Sequence, residues 1–235
     1  MSTRALKAVR YQKFNVHRRL CPEAVGGLID RYLQAHESEL RPIKSLVENL
    51  DKDLLDEIAL HNAKQNETYP DHAGDEPEEQ TCLLPMVFAE ASPMHPSYGA
   101  GHNTAAGACV TILKAFFKHD QKLKSACQPD STGSRLEEVP DAKDVLTVEG
   151  ELNKLAANIS IGRNMAGVHY FTDYLHSMIL GEQIAITILE EQAATYNEDF
   201  KMTIPTFQDG EVMIQKERDW VCTTKKGKTS RRRFS

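Results

Sequence analysis

Apolar residues recur at helical spacing along much of the chain, and this pattern predicts a protein built mainly of helices. The strongest patterns predict helices over residues 103–118, 148–162 and 168–196. In the last of these, a period of 3.6 residues links Ile179, Leu180, Ile184, Ile188 and Leu189. No alternation of strands and helices and no internal repeat is present, so the predicted fold class is mainly α.

Weaker patterns cover the N-terminal half. They predict helices over residues 5–19, 28–35 and 45–60, the last of which also suits two short helices. The first helix is expected to end near Pro22, because the residue before a proline resists the helical conformation. An acidic loop with Pro and Gly is predicted over residues 64–81, and a polar insertion over residues 120–145.

The C-terminal end has a different character. Residues 203–214 form two short alternating runs around Asp209-Gly210, which predicts a small β-hairpin. Residues 216–235 then carry eight Lys or Arg and two acids, so the rest of the chain has a net charge of −12 against −6 for the whole. We therefore expect a helical domain over residues 1–215 and a basic, disordered tail over residues 216–235.

Composition excludes several classes of protein. Hydrophobic residues make up 40% and charged residues 26%, which is ordinary for a globular protein. No apolar run reaches the roughly 20 residues of a membrane span, and the N-terminus lacks the apolar core of a signal peptide, so the cytoplasm is the default expectation. The five cysteines lack the spacing of a zinc site or a disulfide framework. From Lys225 to Ser235 the basic tail has no aromatic residue beyond Phe234, and we expect no nucleic-acid partner.

The first candidate for chemistry is residues 92–102, a loop punctuated by proline and glycine that runs into a helix of small and apolar residues. A glycine-rich turn that opens a helix presents backbone N–H groups at the positive end of the helix dipole, which favours an anion. His102 stands at this helix start. Taken alone, the stretch suits an ordinary loop before a packed helix equally well.

The second candidate is the turn between the helices predicted over residues 148–162 and 168–196. Arg163 is expected at the end of one helix and His169 at the start of the next, with Gly167 making the turn. Asp173 is four residues beyond His169 and is expected on the same helical face, where it can accept the imidazole Nδ1–H. An arginine fork aimed at the same place would hold a tetrahedral oxyanion.

Residues 13–22, 92–102 and 151–173 together resemble the three motifs of the vanadium-dependent haloperoxidases, specifically the bromoperoxidase branch. This family shares its site with the phosphatidic-acid-phosphatase-like acid phosphatases. The order and spacing of the motifs carry the resemblance, as do words such as His95-Pro-Ser-Tyr98 and Glu151-Leu-Asn-Lys-Leu-Ala156. The likeness extends from about residue 13 to about residue 214.

The resemblance implies a helical bundle that holds vanadate, with His169 as the axial ligand to vanadium. It implies that Lys13 and Arg163 offset the oxyanion charge and that the Gly101 N–H donates to it. His102 would be the acid–base group that handles peroxide. His95 would mark the bromoperoxidase branch, and Asp173 would orient His169.

Two positions depart from the family pattern. The family has a second arginine directly before the proline of the first motif, where this chain has Cys21. It has a serine before the Gly-His pair, where this chain has Ala100. We expect Cys21 to be a neutral buried thiol. Arg18, three residues earlier, would lie about 60° away on a helix and could partly replace the missing charge.

The leading hypothesis is a bromoperoxidase-type enzyme, which oxidises a halide with hydrogen peroxide at bound vanadate and so halogenates small organic substrates. A phosphatase with His169 as nucleophile and phosphate in the same pocket is the second hypothesis. An inactive oxyanion-binding or structural relative is the third, motivated by Cys21 and Ala100. Family members are about twice as long, so we also expect the apolar helix faces of this chain to be covered by homo-oligomerisation.

Overall fold

The computed structural model describes residues 1–14, 18–35, 41–68, 81–88, 91–142, 145–208 and 210–233. Inside the helices, the side chains of residues 2, 10, 12–14, 35, 41–42 and 66–68 lie outside the description. The mainly α fold class is confirmed. The helices are α1 (Ser2–Phe14), α2 (Pro22–Ala35), α3 (Arg41–Glu48), α4 (Lys52–Thr68), α5 (Gly101–Phe116), α6 (Val148–Met165) and α7 (Phe171–Ala194).

The described strands form two antiparallel sheets. A two-stranded sheet joins β1 (Cys127–Pro129) to β2 (Leu136–Glu138) inside the stretch predicted as a polar insertion. A four-stranded sheet has the order β3-β4-β5-β6, with β3 (Phe200–Pro205), β4 (Glu211–Glu217), β5 (Trp220–Lys225) and β6 (Lys228–Arg233). The predicted hairpin is therefore half of a larger sheet.

The chain divides into two compact units. The first contains Met1–Gln12, Gly99–Gly162 and Phe171–Ser235, and the second contains Lys13–Tyr98 and Arg163–Tyr170. No helix in the described part of the chain is both long and apolar enough to span a membrane.

The first unit is organised by close contact between α5 and α7, which small residues make possible. A Cβ atom added at Gly107 would lie 2.2 Å from the Met178 carbonyl oxygen, and one added at Gly181 would lie 2.1 Å from that of Thr104. Only glycine therefore allows the two backbones to approach so closely. Next to these contacts, an apolar cluster joins α5, α6 and α7 through Ala106, Val110, Ala156 and Met178.

The four-stranded sheet packs on the C-terminal part of α7. Along β4 the side chains alternate, with Val212, Ile214 and Lys216 on the buried face. Val212 and Ile214 join Ile204 of β3 and Val221 of β5 in a cluster with Ile186, Leu189 and Ala193 of α7. Because side chains alternate along a strand, every second residue points to the same face of the sheet, and that face packs against one side of α7. The contact gives the sheet an apolar core of its own.

A buried polar group ties the helices of the first unit to the loop between β3 and β4. The Lys114 Nζ donates to Asn153 Oδ1 at 3.2 Å and lies 4.1 Å from the centroid of the Phe207 ring. Glu182 Oε2 accepts the Phe207 N–H at 2.8 Å. Lys114 and Glu182 are both buried. Burial lowers the pKa of Lys114 and raises the pKa of Glu182, because it disfavours each charged form.

In the second unit, residues 81–88 and 91–98 have no regular structure, and side chains of the helices bond their backbone. Asp30 Oδ1 accepts the Cys82 N–H at 2.7 Å, and Asn62 Nδ2 donates to the carbonyls of Thr81 and Leu83 at 2.8 Å. Glu23 Oε2 accepts the Ser92 N–H at 3.0 Å. Four backbone groups of a segment without regular structure are thus bonded by side chains of α2 and α4.

Two helix predictions near the N-terminus are wrong at their boundaries. The first helix is described as far as Phe14, residues 15–17 lie outside the description, and residues 18–20 are not helical, so the helix does not extend to residue 19. Pro22 begins α2 instead of ending a helix, which is consistent with its missing N–H at the first helical position. Cys21 is the residue before it, and its carbonyl accepts the N–H groups of Ala24 and Val25.

The predicted disordered tail is also replaced by regular structure. Residues 220–225 and 228–233 are β5 and β6, joined by a turn in which Lys226 and Gly227 have φ of 49° and 73°. Positive φ at both central residues is the signature of a type I′ hairpin. Every residue of β6 is exposed, which explains how a basic run can be an edge strand.

Candidate functional site

The loop before α5 ends at Ala100, which is the N-cap residue of that helix with φ −77° and ψ 119°. Its methyl side chain makes no capping hydrogen bond. A helix start leaves its first N–H groups without partners inside the helix, and in α5 these belong to Gly101, His102 and Asn103. His102 is exposed here, whereas Ala100 and Asn103 are fully buried. The first unit therefore presents a helix N-terminus with an accessible imidazole.

Asn103 was not singled out from the sequence. It is fully buried, and neither Oδ1 nor Nδ2 has a hydrogen-bond partner within the described residues. Buried amides are rarely left in this state. No periodic signal marks such a residue, because its burial depends on the tertiary contacts of α5.

His95 lies in the second unit with its ring orientation fixed. Its Nδ1 is 2.8 Å from the Pro96 carbonyl oxygen. A carbonyl only accepts, so Nδ1 carries the proton and the neutral ring keeps its acceptor lone pair on Nε2. The geometry therefore gives His95 a defined tautomer.

Cys21 belongs to the same unit and contacts the backbone around His95. Its Sγ lies 3.4 Å from the His95 carbonyl oxygen and 3.8 Å from that of Pro93. These are contacts for a protonated thiol, since a thiolate would be repelled by carbonyl oxygens. Cys21 is only half-buried, and it lines a cleft of about 390 Å³ with Arg18 and His95. Arg18 was expected to replace part of the charge missing at Cys21 because of its spacing on a helix. Arg18 is not helical, so that spacing does not apply.

Arg163 sits in the last turn of α6, which ends in a glycine cap. The Val168 N–H bonds the Arg163 carbonyl at 3.3 Å, and the Gly167 N–H bonds the Asn164 carbonyl at 2.9 Å. With φ of 78° at Gly167, this is the Schellman arrangement. The Arg163 Nε is buried and has no hydrogen-bond partner among the described residues. A buried cationic donor in this state favours an anionic ligand.

His169 follows the cap and is 6% exposed. The predicted helical relationship between His169 and Asp173 is wrong, because α7 begins only at Phe171 and His169 lies in the bend before it. Asp173 is fully buried in the first turn of α7. Lys13 is in α1, and its side chain lies outside the description.

The candidate residues are divided between the two units. Ala100, Gly101, His102 and Asp173 belong to the first, and Lys13, Cys21, His95, Arg163 and His169 belong to the second. No group of three or more His, Cys, Asp or Glu side chains that could hold a metal ion occurs in the described part of the chain.

Comparison with known proteins gives the class. A family model described as the VCPO second helical-bundle domain matches residues 56–198, which is more than half of the chain. The chain therefore belongs to the vanadium-dependent haloperoxidase family, and the resemblance inferred from its motifs is confirmed.

Individual relatives agree. The chain is 52% identical over 217 residues to a vanadium-dependent bromoperoxidase from Corallina pilulifera, covering 91% of this chain and 35% of the relative. It is 51% identical, with the same coverage, to that of Corallina officinalis, and 37% identical to that of Ascophyllum nodosum over 87% of this chain and 36% of the relative. The chain thus spans about a third of the length of these relatives.

Proposed function

We propose that this chain binds vanadate and acts as a bromoperoxidase-type haloperoxidase, converting H2O2, a halide and a proton into a hypohalous acid and water. The observation that carries the proposal is the 52% identity to a vanadium-dependent bromoperoxidase over 91% of this chain. Small, electron-rich organic molecules would then be halogenated. Bound vanadate supplies Lewis-acid activation of hydrogen peroxide without a change in its own oxidation state.

The donors present fit an oxyanion. Arg163 has a buried Nε without a hydrogen-bond partner in the described residues, and α5 offers a helix N-terminus. Both features favour negative charge. We assign His169 as the vanadium ligand, and Arg163 and Lys13 as the cations that offset the charge of vanadate. The Gly101 N–H would donate a hydrogen bond to it.

Three further residues complete the assignment. The reaction consumes a proton, and we assign its delivery to His102, whose imidazole is exposed and can exchange protons with solvent. His95, whose Nδ1 lies 2.8 Å from the Pro96 carbonyl oxygen, would be the second histidine that marks the bromoperoxidase branch. We assign Asp173 the role of orienting His169, as the family resemblance implies.

Cys21 and Ala100 are expected to weaken the site. Removing a charged donor to a buried anion costs roughly 1.5–3 kcal/mol, and removing a neutral one about 0.5–1.5 kcal/mol. If the two effects add, the loss in vanadate affinity is roughly 30- to 2,000-fold. Vanadate binding by this chain is therefore expected to be weaker than in a relative that keeps both groups.

The direct test combines two measurements on the purified chain. Isothermal titration calorimetry with orthovanadate should show binding that His169→Ala abolishes, and a phenol dye should be brominated only when vanadate, peroxide and bromide are all present. Binding without bromination would favour the inactive relative. Hydrolysis of a phosphate ester that vanadate inhibits would instead establish the phosphatase, with phosphate as the natural occupant.

We also propose that the chain self-associates. Exposed apolar side chains lie one helical turn apart on three helices of the first unit: Ile112 and Phe116 on α5, Leu155 and Ile159 on α6, and Phe171 and Leu175 on α7. Exposed apolar side chains of this number are often covered by another molecule, which we assign as a second copy of the chain. Analytical ultracentrifugation that finds only monomer would contradict this.

A further inference from the structure

Both backbone polar groups of Ala100, the N-cap residue of α5, are held by hydroxyl-bearing neighbours. Its N–H donates to Ser177 Oγ of α7 at 2.9 Å. Its carbonyl accepts the Thr104 N–H at 3.1 Å and the Thr104 hydroxyl at 2.9 Å. Ala100 and Ser177 are fully buried, and Thr104 is 1% exposed. The connection to α7 is thus made through a single side chain.

The two sets of bonds act on two different peptide planes. A peptide unit is planar and trans, so the carbonyl of Ala100 and the N–H of Gly101 lie in one plane and point in opposite directions. Thr104 restrains that plane at its carbonyl oxygen but leaves it able to rotate about its bonded end. Ser177 holds the plane before it, which contains the N–H of Ala100, and so limits that rotation through the torsions of Ala100. The φ and ψ of Ala100 are the only soft torsions between the planes, and both planes must be held to keep them at −77° and 119°.

The surroundings leave Ser177 little freedom to move. A Cβ added at Gly99 would lie 3.3 Å from Ser177 Oγ and 2.9 Å from Leu6 Cδ1. The close backbone contacts at Gly107 and Gly181 also fix α5 against α7, the helix that carries Ser177. The hydroxyl is therefore presented to the Ala100 N–H from a rigid support.

We propose that Ser177 is a positioning residue that aims the Gly101 N–H at the bound oxyanion. This inference rests on the proposed function, because the oxyanion is the vanadate assigned above. The backbone N–H groups at the start of α5 are especially important for binding the anion in this chain, since Ala100 has no hydroxyl of its own to offer a ligand. A helix N-terminus binds an anion only if its N–H groups are held in the binding direction.

The test is Ser177→Ala in the full chain. Orthovanadate affinity is expected to fall about 2- to 13-fold, the range for a lost neutral hydrogen bond. Amide hydrogen exchange measured by NMR is expected to become faster at Ala100 while Thr104 stays protected. Ser177→Cys keeps the size of the side chain but accepts hydrogen bonds weakly, so it should shift both quantities in the same direction and keeps the test open if the alanine variant folds poorly.

Thr111→Val is the matched control. Thr111 is also fully buried, and its hydroxyl bonds the Gly107 carbonyl at 2.7 Å within α5. This variant should change neither vanadate affinity nor exchange at Ala100. A merely structural role for Ser177 would give the two variants the same profile at matched thermal stability, and that result would overturn the inference.

The remaining outcomes separate the inference from the function on which it rests. Unchanged exchange at Ala100 in Ser177→Ala overturns the inference, whatever the vanadate affinity. Faster exchange with unchanged affinity also overturns it. If the wild-type chain binds no vanadate at all, the proposed function fails, and the exchange at Ala100 still decides whether Ser177 holds the N-cap.

Discussion

Cys21 is the position at which one side chain changes the chemistry of the candidate site most. Arginine would bring a permanent positive charge and five N–H donors, whereas a thiol offers one weak donor. In the structure that donor is directed to the carbonyl oxygens of Pro93 and His95. Cys21 thus helps to hold the second motif near the first, but it brings no charge to an anion.

Cys21→Arg is expected to raise the affinity for orthovanadate by about 10- to 150-fold, because a charged donor to a buried anion is worth roughly 1.5–3 kcal/mol. The side chain has room, since Cys21 lines a cleft of about 390 Å³. Calorimetric titration measures the effect. Cys21→Gln extends the side chain without charge and serves as the control. Equal gains in both variants would show that charge at this position is not what the site lacks.

At the residue scale, the sequence was sufficient to name candidates but not to place them. Motif words identified His169 and Asp173, yet the helical-face argument failed because the cap at Gly167 delays the start of α7 to Phe171. The two residues that hold the Ala100 backbone also differ in how far they could be predicted from the sequence. Thr104 is one turn away in sequence, whereas Ser177 is 77 residues away and only the packing of α7 on α5 brings it there.

Among the elements, long amphipathic helices were predicted well and strands poorly. The helices predicted over residues 148–162 and 168–196 correspond to α6 and α7, because many core positions fix their period. The β5–β6 hairpin was missed, since a run of Lys and Arg has the composition of a solvated arm. One signal was present in the sequence, because Lys226-Gly227 suits a type I′ turn. The contact between the Trp220 ring and the Arg231 guanidinium, at 4.7 Å, is seen only in the folded sheet.

The contact between α5 and α7 yields a prediction at this scale. Gly107→Ala is expected to destabilise the fold by about 1–3 kcal/mol or more, because its Cβ would lie 2.2 Å from the Met178 carbonyl oxygen and neither backbone can move freely. Urea denaturation measures the change in the free energy of unfolding.

Gly27→Ala in α2 is the matched substitution, since nothing lies within 4 Å of the added Cβ. It should stabilise the fold by about 0.5–1 kcal/mol through helix propensity alone. Similar effects at both positions would contradict the close approach of α5 and α7.

At the scale of the whole molecule, the chain belongs to the haloperoxidase family but spans about a third of the length of its relatives.

Within the first unit, the buried group of Lys114, Glu182 and Phe207 links the helices to the β3–β4 loop. Burying ionisable groups is unfavourable unless hydrogen bonds and opposite charges compensate. The stability of this unit should therefore respond to pH in a way that reports on Glu182.

Burial raises the pKa of Glu182 above its ordinary value of 4.5, although the Phe207 N–H, Lys114 and Lys225 oppose the effect. The folded state therefore holds this proton more tightly than the unfolded state. The contribution of Glu182 to the free energy of unfolding is complete below about pH 4.5 and is lost as the pH rises through the raised pKa.

Glu182→Gln removes this titration while keeping an acceptor for the Phe207 N–H. The variant is expected to gain stability relative to the wild type as the pH rises from about 4 to about 7. Loss of the Glu182 charge would also lower the pKa of Lys114 further, with only Glu149 left to oppose it, and that change acts in the same direction. Urea denaturation at several pH values measures the difference.

The control is Glu191→Gln, because Glu191 is an exposed glutamate on the same helix, and this variant should leave the pH profile unchanged. Parallel profiles for Glu182→Gln and the wild type would mean that Glu182 holds its proton no more tightly in the folded chain than in the unfolded one.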